Sequence, residues 1–143
     1  MNKPLAIAIL VTAGAAHAEE SLEDKNYWKP QQTLIDRSMV EVEKRCGPGI
    51  AFEWVDKPKF RAAAEKSQYT PFGVCDNMVQ LVASICRAGE DEKKAVVAKI
   101  KTISCGYAKA RTLDLKGGKL KYMGNNDQVN WHDWAKPALT KKL

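Results

Sequence analysis

Histidine is almost missing from these 143 residues: there are two, and His17 falls in an N-terminal leader described below, so only His132 is left to the body of the chain. No two cysteines stand in a C-x-x-C pair, and with one histidine the ligand spacing of a zinc site is absent. There is no G-x-S-x-G elbow, H-E-x-x-H helix, phosphate-binding loop or dinucleotide-binding glycine pattern, which removes the common catalytic and nucleotide-cofactor signatures. No asparagine begins an Asn-x-Ser/Thr acceptor, so nothing points to N-glycosylation. No repeat, low-complexity segment or long shift of composition divides the chain. We expect no metal, no cofactor and no nucleic-acid partner.

The longest apolar run is too short to span a bilayer, which takes about 20 residues. It lies in residues 1–18, MNKPLAIAILVTAGAAHA, and reads as a secretory signal peptide. Lys3 is the positive start, Leu5 to about Ala16 the apolar centre, and Ala16-His17-Ala18 the small-x-small cleavage pattern. The product expected is periplasmic or secreted, begins near Glu19, and forms one domain over residues 19–143 with no membrane anchor. The leader removes Lys3 and no acid, so the formal charge falls by one from +6. That is a mild lysine excess, short of the density of a nucleic-acid binder.

What the body does have is four cysteines: Cys46, Cys75, Cys86 and Cys105. An even count in an exported chain predicts two disulfides. Two of them lie in VCDNMVQLVASICR, residues 74–87, where Val74, Met78, Val79, Leu81, Val82 and Ile85 recur at helical spacing. Eleven residues make roughly three turns, so Cys75 and Cys86 share a face but sit ~16 Å apart. A disulfide needs Cα atoms within roughly 7 Å, so each must bond to another element. Two pairings remain open: Cys46–Cys86 with Cys75–Cys105, or Cys46–Cys75 with Cys86–Cys105. A turn at Gly89, returning the chain toward the Cys75 end before Cys105, tilts the choice to the first.

Around this helix the rest can be placed. Residues 19–29 read as charged and frayed, with a helix starting at Pro30 and carrying Ile35, Met39, Val42 and Cys46 on one face. Gly47-Pro48-Gly49 stops it. Ile50–Val55 alternates like a strand, residues 58–67 form a short helix, and Thr70-Pro71 opens the cysteine-bearing helix. Glu90-Asp91-Glu92 suit the positive end of a further helix, with Val96, Val97 and Ile100 on its apolar side. From Ile103 the period becomes two. Lys116-Gly117-Gly118-Lys119 predicts a two-residue hairpin turn that sets Leu115 opposite Leu120, Leu113 opposite Tyr122 and Asp114 opposite Lys121. In the tail, Asn130 and Asp133 resemble a helix N-cap and its reciprocal partner, which predicts a short turn at 130–135, and Pro137 predicts a break before a last helix. The class expected is α+β: helices on one face of a small antiparallel sheet of three or four strands, ending in a meander and hairpin, with two disulfides.

Three functions fit this reading. The first is a non-enzymatic protein-binding module, inhibitor- or immunity-like, that presents a rigid surface to an acidic protein. The second is a binder of anionic envelope glycan, using Lys116, Lys119 and Lys121 with Trp131, His132 and Trp134. The third is a small hydrolase using carboxylates near the tail, Asp127 and Asp133. The lysines also fit solvated guards of a sheet edge. Size, compartment and cysteine count are those of small exported bacterial inhibitors, immunity proteins and envelope binders, an analogy that carries no residues over.

Overall fold

A computed structural model describes residues 20–143. The leader lies outside the described residues. The element order is α1 (Leu22–Cys46), β1 (Ala51–Trp54), α2 (Lys57–Ser67), α3 (Pro71–Ala88), α4 (Glu90–Lys99), β2 (Thr102–Tyr107), β3 (Thr112–Lys116), β4 (Lys119–Gly124) and α5 (Trp131–Thr140). The class is α+β, with five helices and a four-stranded sheet. No helix among the described residues is long and apolar enough to cross a membrane.

α3 is the centre of the core. Thr70 caps it by accepting from the Gly73 amide at 3.1 Å, and Pro71 occupies its first turn. Val74, Met78, Val79, Leu81, Val82 and Ile85 are all buried. The α1 stripe of Ile35, Met39, Val42 and Cys46 packs along it. Cys86 is bonded to Cys46 at the end of α1, with Cα atoms 5.3 Å apart; Cys75 is bonded to Cys105 in β2, at 6.0 Å. One helix is thus stapled near its C-terminal end to its helical neighbour and near its N-terminal end to the sheet. This is the first of the two pairings left open above.

α1 begins two turns before Pro30, so residues 22–29 are helical rather than frayed as expected; residue 19 lies outside the described residues. Ser21 caps the helix by accepting from the Asp24 amide. Arg61 of α2 then donates to Asp24 at 2.6 Å, Glu23 at 2.7 Å and Glu65 at 2.8 Å, and stacks over Tyr27. Trp28 is buried against Trp54 and Phe60. Burying these rings outweighs the one hydrogen bond that Pro30 forfeits on the exposed side of the helix.

The sheet is mixed rather than antiparallel, with order β1-β2-β4-β3. β1 and β2 are parallel, β2 and β4 are parallel, and only β3 and β4 are antiparallel. The hairpin register is as expected, but the last three strands are not a meander. After β2 the chain passes the position of β4, runs down the sheet edge as β3, and returns through Gly117-Gly118 to insert β4 in the middle. Asn125 holds the connecting segment by donating to the carbonyls of Ala108 at 3.1 Å and Lys109 at 2.7 Å. Hydrophobic alternation assigns faces to strands but says nothing about neighbours, so a split hairpin and a meander look the same in sequence.

Register places Phe52, Ile103, Leu120 and Leu115 in one row and Trp54, Cys105, Tyr122 and Leu113 in the next, all toward the helices. The opposite face carries Glu53, Ser104, Lys121 and Asp114 in one row, with Ala51, Thr102, Lys119 and Lys116 beside it. α5 is a single helix with Pro137 inside it, not two pieces. Trp131, Ala135 and Leu139, four residues apart, bury its inner stripe and hold it together across the proline. Asn130 makes no side-chain cap bond, so the expected cap with Asp133 does not form. Turns in which Asn125 accepts from Asp127 and Asp127 accepts from Val129 bring the chain in instead.

Non-reducing peptide mapping should recover Cys46 linked to Cys86 and Cys75 linked to Cys105. Replacing Cys46 and Cys86 together by serine should cost about 3–4 kcal/mol in urea unfolding, from loop-closure entropy alone. A loss under about 1 kcal/mol would mean that packing, not the bridge, holds α1 to α3.

Candidate functional site

The lysines of the hairpin do not act as a set. Lys119 reaches across the bare face of the sheet to Glu53, Nζ to Oε1 at 2.6 Å, and Ser104 donates to the same oxygen at 2.6 Å. Ser104 is wholly buried although it lies on the outer face, because β2 is an interior strand and this network covers it. Lys119, and Ser104 after it, hold the Glu53 carboxyl below its ordinary value near 4.5. Lys121 stands opposite Asp114 in register. Lys116, exposed at the turn, is the one of the three with no acidic residue opposite it; its register partner is Lys119.

A groove of about 540 Å³ that sequence reading missed lies at the same end of the hairpin, lined by Leu115 and the turn glycines and not by Lys116, which belongs to the other face of the sheet. The end of α4, Lys101, the Gly117-Gly118 turn and Lys142 of the tail form this groove. Lys101 and Thr102 donate their amides to the Gly118 carbonyl at 2.7 and 3.1 Å, which fixes the turn against the α4–β2 junction. Gly117 and Gly118 have φ of 59° and 79°, the left-handed geometry that selects glycine here. Lys101 Nζ donates to the Val97 carbonyl at 2.6 Å, and Lys99 Nζ to the Lys142 carbonyl at 3.3 Å. These ammonium groups are therefore held by main-chain oxygens, and no acidic side chain lines the groove. The carbonyl end of α4 suits cations by its dipole, so three lysines converge without cancelling their charge. Lys99, Lys101 and Lys142 are separated by up to 43 positions, which is why spacing along the chain gave no signal.

The tryptophans lie elsewhere. Trp131 is buried, edge-on to Tyr122, and its Nε1 donates to the Tyr122 hydroxyl at 2.9 Å. Burial pushes the Tyr122 phenol up. Trp134 is half-buried, with the Arg111 guanidinium 5.0 Å above its ring while Arg111 donates to the Val129 carbonyl. Both rings belong to the helix side of the sheet and Lys119 and Lys121 to the other, so the joint lysine–tryptophan platform does not form. His132 is exposed at a crevice of about 350 Å³ that also holds Asn77, Gln128 and Asp133, where Asn77 donates to Gln128. Asp127 is engaged in its turn and is not among the residues of this crevice.

The carboxylates that do share a concave site are Asp91 and Glu92, read from sequence only as helix-start residues. They rim a groove of about 470 Å³ between α3, α4 and α5, with Lys136 opposite and Ile85, Ala88 and Leu143 in its wall. No group of three or more histidine, cysteine, aspartate or glutamate side chains among the described residues could hold a metal ion. Compared with models of known families, with curated proteins and with solved structures, the chain matches none.

The Glu53 pair makes stability depend on pH. Its folded value is depressed, so its contribution is present above the ordinary carboxyl value and fades as the pH falls through the folded one. Glu53→Gln should therefore lower stability at about pH 7 more than at about pH 3. The difference should stay under about 1 kcal/mol, because both side chains are roughly half exposed to solvent. Urea titrations at the two pH values check this, and an equal loss at both would assign the effect to packing.

Proposed function

We propose that this is an exported, non-enzymatic binding module that recognises an acidic region of a partner protein through the groove at its hairpin end. The observation that carries the reading is the convergence of Lys99, Lys101 and Lys142 on one groove with no acidic lining, with the unmatched Lys116 at the same end of the hairpin on the outer face. Two disulfides fit an oxidising, extracytoplasmic compartment, and the leader fits a periplasmic destination. The stapled scaffold supports the same reading, since a surface already in place loses little freedom on binding. Arginine is absent from this groove; lysine gives a mobile point charge suited to clustered carboxylates and less to a fixed bidentate fit. The buried Trp131 and covered Trp134 offer no stacking face for a sugar, which favours a protein over an envelope glycan.

The test is a pull-down with the oxidised protein lacking residues 1–18, against periplasmic and envelope fractions, washed at about 50 and about 500 mM salt. A discrete protein held at low salt and depleted at high salt is expected, because exposed charges are screened over a few ångströms at the higher concentration. Replacing Lys99, Lys101, Lys116 and Lys142 by glutamate should reduce capture at least about tenfold, with circular dichroism confirming the fold. Undiminished capture by that variant would remove the groove from the interface, and capture of polysaccharide alone would favour the glycan reading.

A further inference from the structure

β3 is an edge strand, and its register shows which main-chain groups it leaves free. In an antiparallel pair, residues alternate between those bonded to the neighbour and those that point away. The Gly117-Gly118 turn starts from the bonded pair Lys116 and Lys119, so Asp114–Lys121 and Thr112–Met123 are also bonded. The N–H and C=O groups of Leu113 and Leu115 consequently point out of the sheet. Neither residue's main chain makes a hydrogen bond beyond the β3–β4 ladder among the described residues. Their side chains are half-buried against the core and continue its apolar floor to the edge.

Charge divides this edge in a way that selects an occupant. On the outer face Asp114 already stands opposite Lys121, whereas Lys116 has only Lys119, whose charge Glu53 takes. Leu115 and the two turn glycines also line the lysine groove, so the groove opens directly off the Lys116 end of β3. A strand added antiparallel to β3 begins at that end.

From this geometry we infer that β3 takes up an extended segment of the acidic partner as a fifth strand. The inference rests on the protein-binding reading above and states how that partner docks. The added segment hydrogen-bonds Leu113 and Leu115, sets two apolar residues beside their side chains, and places an acidic residue against Lys116. The acidic residues preceding it in the partner enter the groove of Lys99, Lys101 and Lys142. Main-chain bonds supply affinity, and the alternating side chains supply selectivity. A second copy of this chain fits poorly, since overlapping two β3 strands fully sets Asp114 opposite its own copy.

The probe is the capped peptide DDEVKVT, whose Glu meets Lys116 and whose two Val flank the Lys that meets Asp114; VVKTDED is its scrambled control. Binding is followed by NMR, with amide exchange read at Leu113 and Leu115. We expect DDEVKVT to bind at least about tenfold tighter than the control at low salt and to slow both amides. Lys116→Glu should abolish that preference. Leu113→Pro, which removes an outward N–H from an edge strand that tolerates proline, should weaken binding roughly tenfold relative to Leu113→Ala, which keeps it. Equal binding of both peptides with unprotected amides would overturn strand addition and leave the lysine groove as a purely ionic surface. Binding of neither peptide, where the pull-down partner is still lost on reversing the groove lysines, would overturn it too. Sedimentation as a dimer that Leu113→Pro dissociates would give the edge to a second copy and overturn the inference.

Discussion

Cys75 and Cys86 lie three turns apart on one face of α3, too far apart to bond each other, and everything else is arranged around that separation. Each reaches a different layer: Cys86 the end of α1, Cys75 the interior strand β2. The helical layer and the sheet are thereby joined through a single helix whose apolar stripe is wholly buried. All of the helices then belong to one face of the sheet. The other face is left to water and to the network of Glu53, Ser104 and Lys119. The groove at the hairpin end is held instead by main-chain acceptors, the Gly118 carbonyl taking the Lys101 and Thr102 amides and the Lys142 carbonyl taking the Lys99 ammonium.

Charge is sorted by the same framework. Acidic side chains are drawn into pairs: Glu23, Asp24 and Glu65 around Arg61, Glu41 beside Lys44 and Arg45, Glu53 under Lys119 on the outer face of the sheet. Lys99 and Lys101 find main-chain carbonyls instead. The lysine excess of the composition is therefore not spread evenly but gathers where α4 ends, the hairpin turns and the tail finishes. The acidic start of α4 faces a different groove, so the two signs are separated on one small molecule. Such separation favours oriented approach of a charged partner more than it adds to affinity.

The split hairpin ties this surface to the fold. Had β3 stood between β2 and β4, its main-chain groups would be satisfied within the sheet and Leu115 would be interior. Placing β3 outside exposes one row of hydrogen-bonding groups next to the lysine groove. Parallel pairing of β2 with β4 is the cause, and the link held by Asn125 keeps the chain at the right height for it.

What the sequence alone determined were the features set by local periodicity and by geometry along one element. These are the α3 and α1 stripes, the stops at Gly47–Gly49, the hairpin register, the α+β class, and the impossibility of a Cys75–Cys86 bridge. Tertiary structure decided what depends on residues far apart in the chain. It extended α1 back to Leu22, because Trp28 finds Trp54 and Phe60 and because Arg61 gathers the first-turn acids. It carried α5 through Pro137, because Trp131, Ala135 and Leu139 are buried together. It chose the strand order, which alternation leaves degenerate. It also divided the candidate site, burying Trp131, pairing Lys119 with Glu53, and assembling a groove from Lys99, Lys101 and Lys142. Local patterns show which way a side chain faces, but only the packed chain shows what it faces.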